Sequence, residues 1–147
     1  MPLNSALYAI LLESKLELIT DKNFKKWSNS RELPSEVKYS TRRSYIGLRL
    51  KSRPGVLFVT PEEVIHWTYD SKYCALAMFE DEIVVRIGIK DIDGFEITKM
   101  NIFWRIAFMG AKWLVRIRAG HKGENIIFYE NPDEFVRVLK GLNIECV

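Results

Sequence analysis

Four side chains near the middle of the sequence come closest to a set that could do chemistry together. Asp91, Asp93, Glu96 and Lys99 combine carboxylates with an amine, as metal-dependent nucleases do. The spacing argues against such a site, because the two residues between Glu96 and Lys99 send these side chains to opposite faces of a strand. We therefore expect no nuclease centre at this position.

The metal-binding and nucleophilic residue types are scattered along the chain. The cysteines and histidines, which lack the paired spacing of a structural zinc site, are Cys74, Cys146, His66 and His121. We expect His66 on one face of a strand and His121 exposed in a hairpin. The sequence also lacks a glycine-rich phosphate loop and any Ser/His/Asp or Cys/His grouping at a useful spacing. It therefore predicts a non-enzymatic protein with no catalytic residue, no metal and no cofactor.

The distribution of charge is more informative than the net charge of +3. Residues 1–60 carry a formal charge of +6, whereas residues 61–147 carry −3. A basic part beside an acidic part suggests two roles, and the basic part indicates a polyanionic partner. A single domain with one basic face is the alternative for a chain this short.

The first part of the chain begins with helical patterns. Apolar residues at helical spacing predict a helix over residues 3–11, and a short alternating run predicts a strand over residues 15–20. Asp21 is expected to be the N-cap of a second helix that carries Phe24 and Trp27 on its apolar side. We expect Trp27 to be a core residue.

The next segment, residues 40–51, fits two kinds of structure. Serine and threonine at its start could cap a third helix, whereas the alternation of apolar and polar residues near its end is typical of a strand. Both interpretations end at Arg53-Pro54-Gly55, a strong turn signal. A strand over residues 56–60 is expected in either case.

This order of a helix, a short strand, a second helix, a basic element, a turn and a strand resembles winged helix-turn-helix domains. Residues 33–51, LPSEVKYSTRRSYIGLRLK, resemble the recognition-helix region. The resemblance implies a third helix that enters the major groove of double-stranded DNA and contacts phosphates and base edges. By position it implies the following nucleic-acid contacts: Lys38, Thr41, Arg42, Arg43, Tyr45, Arg49, Lys51 and Arg53. The alternative is a β-hairpin over residues 45–60 whose charges form a solvated face.

The second part predicts a β-rich domain closed by a helix. Short runs rich in β-branched and aromatic residues, separated by polar turns, predict an antiparallel meander over residues 64–98. Residues 113–118 and 125–129 are expected to continue it as a hairpin. Asn131 as N-cap, followed by a proline and an apolar stripe over residues 135–142, predicts a final helix.

Residues 83–118 and the helix opening NPDEF at 131–135 resemble the prokaryotic pleckstrin-homology-like family. In that family a strand with an Ile-x-x-Ile-type segment leads into a glycine-bounded aliphatic connection, here residues 101–110, and then into a strand pair and a C-terminal helix. The resemblance covers residues 62–143 and implies a bent two-sheet barrel that the helix plugs at one end. Such folds host lipid-headgroup, protein-binding and structural roles, so the fold alone does not fix the function.

Together these observations predict an α+β protein of two parts. Residues 1–60 form a basic helical part that resembles a winged helix-turn-helix domain. Residues 61–147 form an antiparallel, pleckstrin-homology-like β-barrel capped by a C-terminal helix, and this part is expected to fold alone. The main functional hypothesis is DNA binding by the first part, with the second part as an oligomerisation or partner-docking module.

The alternative function is a protein- or membrane-surface interaction module without nucleic-acid binding. Its anion-binding residues lie on one strand and the adjoining hairpin of the second part: Arg116, Arg118, His121 and Lys122. No apolar run approaches the roughly 20 residues that span a bilayer, so we expect no integral membrane association. With two cysteines and no sign of export, the thiols are expected to be reduced and the protein cytoplasmic.

Overall fold

The computed structural model describes residues 19–47, 52–74, 81–107 and 110–147 of the chain. The predicted helix over residues 3–11 and most of the predicted strand over 15–20 lie outside these ranges. The described elements, in chain order, are α1 (Asp21–Asn29), β1 (Tyr39–Ile46), β2 (Arg53–Val59), β3 (Glu63–Thr68), β4 (Val84–Gly88), a 3-10 turn (Ile89–Asp91), β5 (Gly94–Lys99), α2 (Ile102–Ala107), β6 (Trp113–Ala119), β7 (Lys122–Phe128) and α3 (Asp133–Gly141).

All the strands belong to one antiparallel sheet, in the order β4-β3-β2-β1-β7-β6-β5. β1 lies at its centre and pairs with β2 along most of its length, but only Ser44 to Ile46 pair with β7. The register of β1 against β2 shifts between Thr41 and Ser44, which is a bulge. The pairing with β7 begins at Ser44 because its partner, Phe128, is the last residue of β7.

Each face of the sheet carries its own hydrophobic core. Trp27 of α1 belongs to one core together with Tyr45 and Phe58, whereas Phe135 and Leu139 of α3 belong to the other. β2 contributes to both, because its residues alternate between the two faces. This explains why residues 54–59 are buried without interruption.

Both of the longer helices begin one residue away from the predicted start. Thr20 caps α1, and its Oγ1 accepts a hydrogen bond from the Asn23 N–H at 3.2 Å, so the predicted cap Asp21 is instead the first helical residue. At α3 the N-cap is Pro132 rather than the predicted Asn131, whose Oδ1 accepts a hydrogen bond from the Asp133 N–H at 3.0 Å. The predicted final helix is therefore present. In the described ranges, no helix is long and apolar enough to cross a bilayer.

The predicted fold, a winged helix-turn-helix part followed by a barrel, is wrong. Where a third helix was predicted, Tyr39–Ile46 forms strand β1, hydrogen-bonded to β2 as an antiparallel hairpin. The hairpin alternative for this segment was the correct one, although the hairpin begins at Tyr39. The physical reason is that Tyr45 and Ile46 supply opposite cores, which strand alternation allows.

The sheet is open rather than a closed barrel, with β4 and β5 as its two edge strands. The C-terminal residues lie along the β5 edge, where the Phe95 N–H donates to the Glu145 carbonyl at 3.1 Å and the Val147 N–H donates to the Phe95 carbonyl at 2.8 Å. A segment of the chain outside the sheet therefore occupies part of the edge that would have to close a barrel.

The sheet also runs across the predicted boundary near residue 60. β1 and β2 come from the first part of the sequence, and they pair with β7 and β3 from the second part. The independent folding of residues 61–147 stays a prediction.

Candidate functional site

The arginines predicted to enter a DNA groove lie beside the β1 bulge, and each is tied to a neighbouring element. The Arg42 guanidinium forms an ion pair with Asp21 and lies 5.4 Å from the ring centroid of Phe24. The Arg43 guanidinium lies 5.8 Å from the ring centroid of Tyr129. Arg42 thus holds α1 against the sheet, and Arg43 packs against the segment after β7.

The other predicted DNA contacts share no helix either. Thr41 lies at the β1 bulge, Tyr45 is a buried core residue, and Lys38 is exposed just before β1. Arg53 begins β2, and its Nη1 donates to the Asp81 carbonyl at 3.1 Å. Arg49 and Lys51 lie outside the described residues. The predicted recognition helix of a helix-turn-helix domain is therefore wrong, because the described residues of the expected recognition element form a strand.

A different segment presents an exposed apolar surface. Asn101 Oδ1 accepts a hydrogen bond from the Trp104 N–H at 3.0 Å and so caps the start of α2. Ile102, Phe103 and Ile106 of this helix are 74%, 67% and 66% exposed, respectively. Their i, i+1 and i+4 spacing places them on one side of the helix, whereas Trp104 packs against the core. We call these three exposed side chains the α2 face.

The charges on both sides of α2 in the sequence are all of one sign. Between Ile97 and Gly123 the sequence contains no aspartate or glutamate. We call residues 97–123 the acid-free segment. Its lysines and arginines are Lys99, Arg105, Lys112, Arg116, Arg118 and Lys122. Lys99 and Lys112 are exposed, and Arg105 Nε donates to the Met100 carbonyl at 2.8 Å, which fixes its position at the base of α2.

The residues predicted to bind anions in the alternative function belong to the same segment. Arg116 and Arg118 are exposed on one face of β6, and Arg118 forms an ion pair with Glu96 of β5. His121 is exposed in the β6–β7 turn, as predicted. Lys122 begins β7, but its side chain lies outside the described part of the structure. Among the described side chains, Arg116, Arg118 and His121 do not converge on a single point through any shared contact.

A second cluster surrounds Arg31, which follows α1. Its guanidinium carbon lies 5.0 Å, 6.0 Å and 5.1 Å from the ring centroids of Trp27, Trp67 and Tyr73, respectively. The same guanidinium forms an ion pair with Glu82, to which its Nε donates at 2.9 Å. We call these five residues the Arg31 cluster.

The carboxylate of the cluster is held by both tryptophans. The indole N–H groups of Trp27 and Trp67 donate to Glu82 Oε1 at 3.1 Å and to Glu82 Oε2 at 3.0 Å. Hydrogen bonding from Arg31 also lowers the pKa of Tyr73. The side chains of Arg31 and Glu82 are 14% and 20% exposed, so the ion pair is mostly removed from water.

The fold brings together a serine and a histidine whose spacing in the sequence does not indicate a pair. Ser44 Oγ lies 2.9 Å from His66 Nε2 and donates to the Gly55 carbonyl at 3.1 Å, so Nε2 carries the imidazole proton. Burial lowers the pKa of His66 to about 3. Both side chains are buried, which keeps substrates away and makes this pair structural.

A cleft of about 720 Å³ lies between β4 and the β6–β7 turn. Its charged lining residues are of both signs: Arg86, Lys90, Asp91, Asp93 and Glu124. Asp93 is engaged there, because its Oδ2 accepts a hydrogen bond from the Gly120 N–H at 2.8 Å. Mixed charge of this kind does not favour a polyanion.

Sequence reasoning missed the α2 face and the Arg31 cluster. The residues of α2 were expected to form an aliphatic connection, and their exposure became visible only in the fold. One signal was readable, namely the absence of acidic residues from the acid-free segment. Nothing in the spacing of Arg31, Trp67 and Glu82 could have revealed their contact, because it depends on how α1 packs on β3.

No protein-family model and no curated protein matches this chain. Among solved structures, it is similar to the hSac2 domain from human phosphoinositide phosphatase Sac2, with 13% sequence identity over 97% of this chain and 88% of that chain and a TM-score of 0.47. A similarity of this extent establishes neither the fold nor the function of this chain.

Proposed function

We propose that this chain is a non-enzymatic module that docks on an anionic membrane surface through the α2 face. The observation that carries the proposal is the exposure of Ile102, Phe103 and Ile106 within the acid-free segment. Large apolar side chains clustered at the surface mark interaction sites, and cations around them favour a negatively charged partner.

The energies of the two contributions are comparable. Transfer of one large apolar side chain from water into an apolar phase is worth about 1.5–3 kcal/mol, so three such side chains contribute several kcal/mol. Each Lys or Arg near an anionic bilayer adds about 1 kcal/mol. Lys99 precedes α2 in the chain, Arg105 lies within it and Lys112 follows it, so we expect the apolar and electrostatic contributions to act at the same part of the surface. This combination is typical of peripheral binding at a membrane interface.

Co-sedimentation with lipid vesicles tests the proposal. The full chain is expected to bind phosphatidylcholine vesicles that contain phosphatidylserine, and to bind less as salt rises, because salt screens the attraction of the cations. The double variant Phe103→Ser/Ile106→Ser is expected to lose about tenfold or more of this binding, since it removes two inserting side chains. Val37→Ser is the matched control, because Val37 is an exposed apolar residue (39%) outside α2.

A charge reversal tests the electrostatic contribution separately. Lys112→Glu is expected to weaken binding to the anionic vesicles, whereas Lys140→Glu, an exposed position in the last turn of α3, leaves it unchanged. Equal retention of the α2 double variant and the wild type would contradict the proposal. A dimer that the double variant dissociates, seen by light scattering, would instead assign the α2 face to a second copy of the chain.

A further inference from the structure

The Arg31 cluster has the composition of a cation-recognition site. Three aromatic rings lie within 6.0 Å of the guanidinium carbon, and Glu82 provides the counter-charge. Rings around a cation attract it through their negative faces, and such cages are how proteins recognise cationic ligand groups. A carboxylate that can bind two N–H groups of one guanidinium adds the geometry that selects arginine over lysine.

Two walls of this site, the indoles, are positioned without help from Arg31. Trp27 is fixed on α1 with its ring at 5.5 Å and near a right angle to that of Trp67 on β3. Their N–H groups donate to Glu82 by hydrogen bonds of 3.1 Å and 3.0 Å. Tyr73 and Glu82 lie on connecting segments and each also hydrogen-bonds Arg31. Loss of Arg31 therefore leaves the two indoles in place with their N–H groups directed at Glu82.

The occupant also lies outside the helices and strands. Arg31 lies in the irregular segment between α1 and β1, and apart from its contacts in the cluster its Nη1 donates to the Trp27 carbonyl at 2.8 Å and to Ser30 Oγ at 2.5 Å. A side chain on a connecting segment can leave its site without the loss of a helix or a strand.

We propose that Trp27, Trp67, Tyr73 and Glu82 form a guanidinium-binding site, which Arg31 fills in cis and which an arginine side chain of a partner protein fills when Arg31 is displaced. Arg31 is then an intramolecular competitor. It lowers the apparent affinity for the partner by the fraction of molecules in which it occupies the site. The proposal uses none of the α2 residues and stands whether or not the chain binds membranes.

The test removes the competitor and supplies the ligand group from solution. The probe is N-acetyl-arginine amide, which has an arginine side chain and no charged backbone, and its binding is followed by tryptophan fluorescence. Full-length Arg31→Ala is expected to bind the probe at least about tenfold more tightly than wild type, because the competing side chain is gone. The melting temperature of this variant is expected to rise with the probe, whereas that of the wild type does not change.

Four controls separate recognition from nonspecific filling of a gap. The citrulline analogue of the probe has nearly the same shape but no charge and is expected not to bind, and the lysine analogue is expected to bind more weakly. Arg31→Leu occupies the site with an apolar side chain, and its affinity for the probe is expected to stay at the wild-type level. Arg31→Ala/Glu82→Gln keeps an oxygen that accepts from an indole N–H but loses the negative charge. It is expected not to show the gain in affinity for the arginine probe that Arg31→Ala shows.

A second variant keeps the proposal testable if Arg31→Ala does not fold. Arg31→Lys retains a cation near the rings, but its ammonium group cannot donate the two parallel hydrogen bonds that the guanidinium donates to Glu82. The lysine side chain therefore competes with the probe less well than arginine does. It is expected to bind the arginine probe more tightly than wild type does. The proposal is overturned if neither variant gains affinity for the probe, or if the citrulline analogue binds as well as the arginine compound.

Discussion

Two stretches of the chain concentrate positive charge, and they place it differently. In residues 38–53, which we call the first basic stretch, Arg42 and Arg43 each lie over an aromatic ring and face a carboxylate of a neighbouring element. In the acid-free segment, Lys99 also lies over a ring, that of Trp113, and Arg118 pairs with Glu96 of β5. This segment differs in that cations precede and follow three exposed apolar side chains with no carboxylate between them in the sequence.

The difference shows what the charge of a segment can and cannot reveal. A guanidinium that covers a ring and pairs with a carboxylate attaches one element of the fold to another, and its field is largely cancelled nearby. A segment without acidic residues keeps a field of one sign at its surface. The first stretch is therefore expected to affect stability, and the second to affect binding.

Deletion of residues 1–59 is expected to have the largest effect. A 60–147 fragment lacks β1 and β2, so β7 and β3 each lose a hydrogen-bonded neighbour and both cores lose the residues of β2. We expect no cooperative thermal transition by circular dichroism, in contrast to the expectation from sequence that this part folds alone. A sharp transition in the fragment would show that the first basic stretch is not part of the framework.

Gly55→Ala, on the strand beside β1, is expected to cost about 3 kcal/mol. A Cβ at this position would lie 2.3 Å from the Trp67 carbonyl oxygen and 2.6 Å from His66 Cε1, so the packing of β2 on β3 must give way. Urea denaturation measures the loss. Gly141→Ala is the matched control, because a Cβ there meets no atom within 4 Å, and no loss of that size is expected.

Acid is expected to destabilise the same region through His66. Its pKa is about 3 in the fold against an ordinary value of 6.5, because burial disfavours the charged ring. Below pH 6.5 His66 binds a proton in the unfolded chain but stays neutral in the folded chain. The free energy of unfolding therefore falls as the pH drops towards 3. At pH 5 the loss is about 2 kcal/mol relative to pH 7.

Denaturation curves between pH 7 and pH 4 measure this loss (about 3 kcal/mol at the lower limit). His66→Gln can still donate to Ser44 but does not titrate, so its stability is expected to depend less steeply on pH than that of the wild type. His121→Gln, in the exposed turn, is the control and is expected to keep the wild-type slope. An unchanged slope in His66→Gln would exclude His66 as the cause.

Arg42→Ala/Arg43→Ala is expected to lower stability by about 2 kcal/mol and the melting temperature by about 5 °C, because two ring contacts and two ion pairs are lost. Binding to anionic vesicles is expected to stay at the wild-type level. Thermal melts and co-sedimentation on one preparation check both statements. A large loss of vesicle binding without a change in stability would reverse the comparison between the two stretches.

The sequence allowed the second half of the fold to be predicted better than the first. The β6–β7 hairpin and α3 carry local signals, such as Asn131-Pro132 at the helix start, and both elements are present, although the N-cap is Pro132 and not the predicted Asn131. The turn predicted at Arg53-Pro54-Gly55 is wrong, although Pro-Gly is normally a turn signal. Here Gly55 lies inside β2, where the contacts of a Cβ with β3 show that the strands leave no space for a side chain. That requirement is set by a strand that is distant in sequence.

The candidate sites were less predictable, because exposure and long-range contacts decide them. Phe103 and Trp104 are adjacent in the sequence and both are aromatic, yet one is 67% exposed and the other packs on the core. Arg31 and Glu82 meet only because α1 packs against β3 through Trp27 and Trp67. Residue type and local spacing contain no information on either point.

Removal of two cations from the acid-free segment is expected to change stability least. Lys112 and Arg116 are exposed, so their replacement by alanine is expected to alter the free energy of unfolding by less than about 0.5 kcal/mol. At about 1 kcal/mol per charge near an anionic surface, Lys112→Ala/Arg116→Ala is nevertheless expected to weaken binding to phosphatidylserine-containing vesicles about 30-fold. Binding to neutral vesicles is expected to stay unchanged, because the α2 face is intact. Equal losses on neutral and anionic vesicles would mean that these residues act through the shape of the α2 region rather than through their charge.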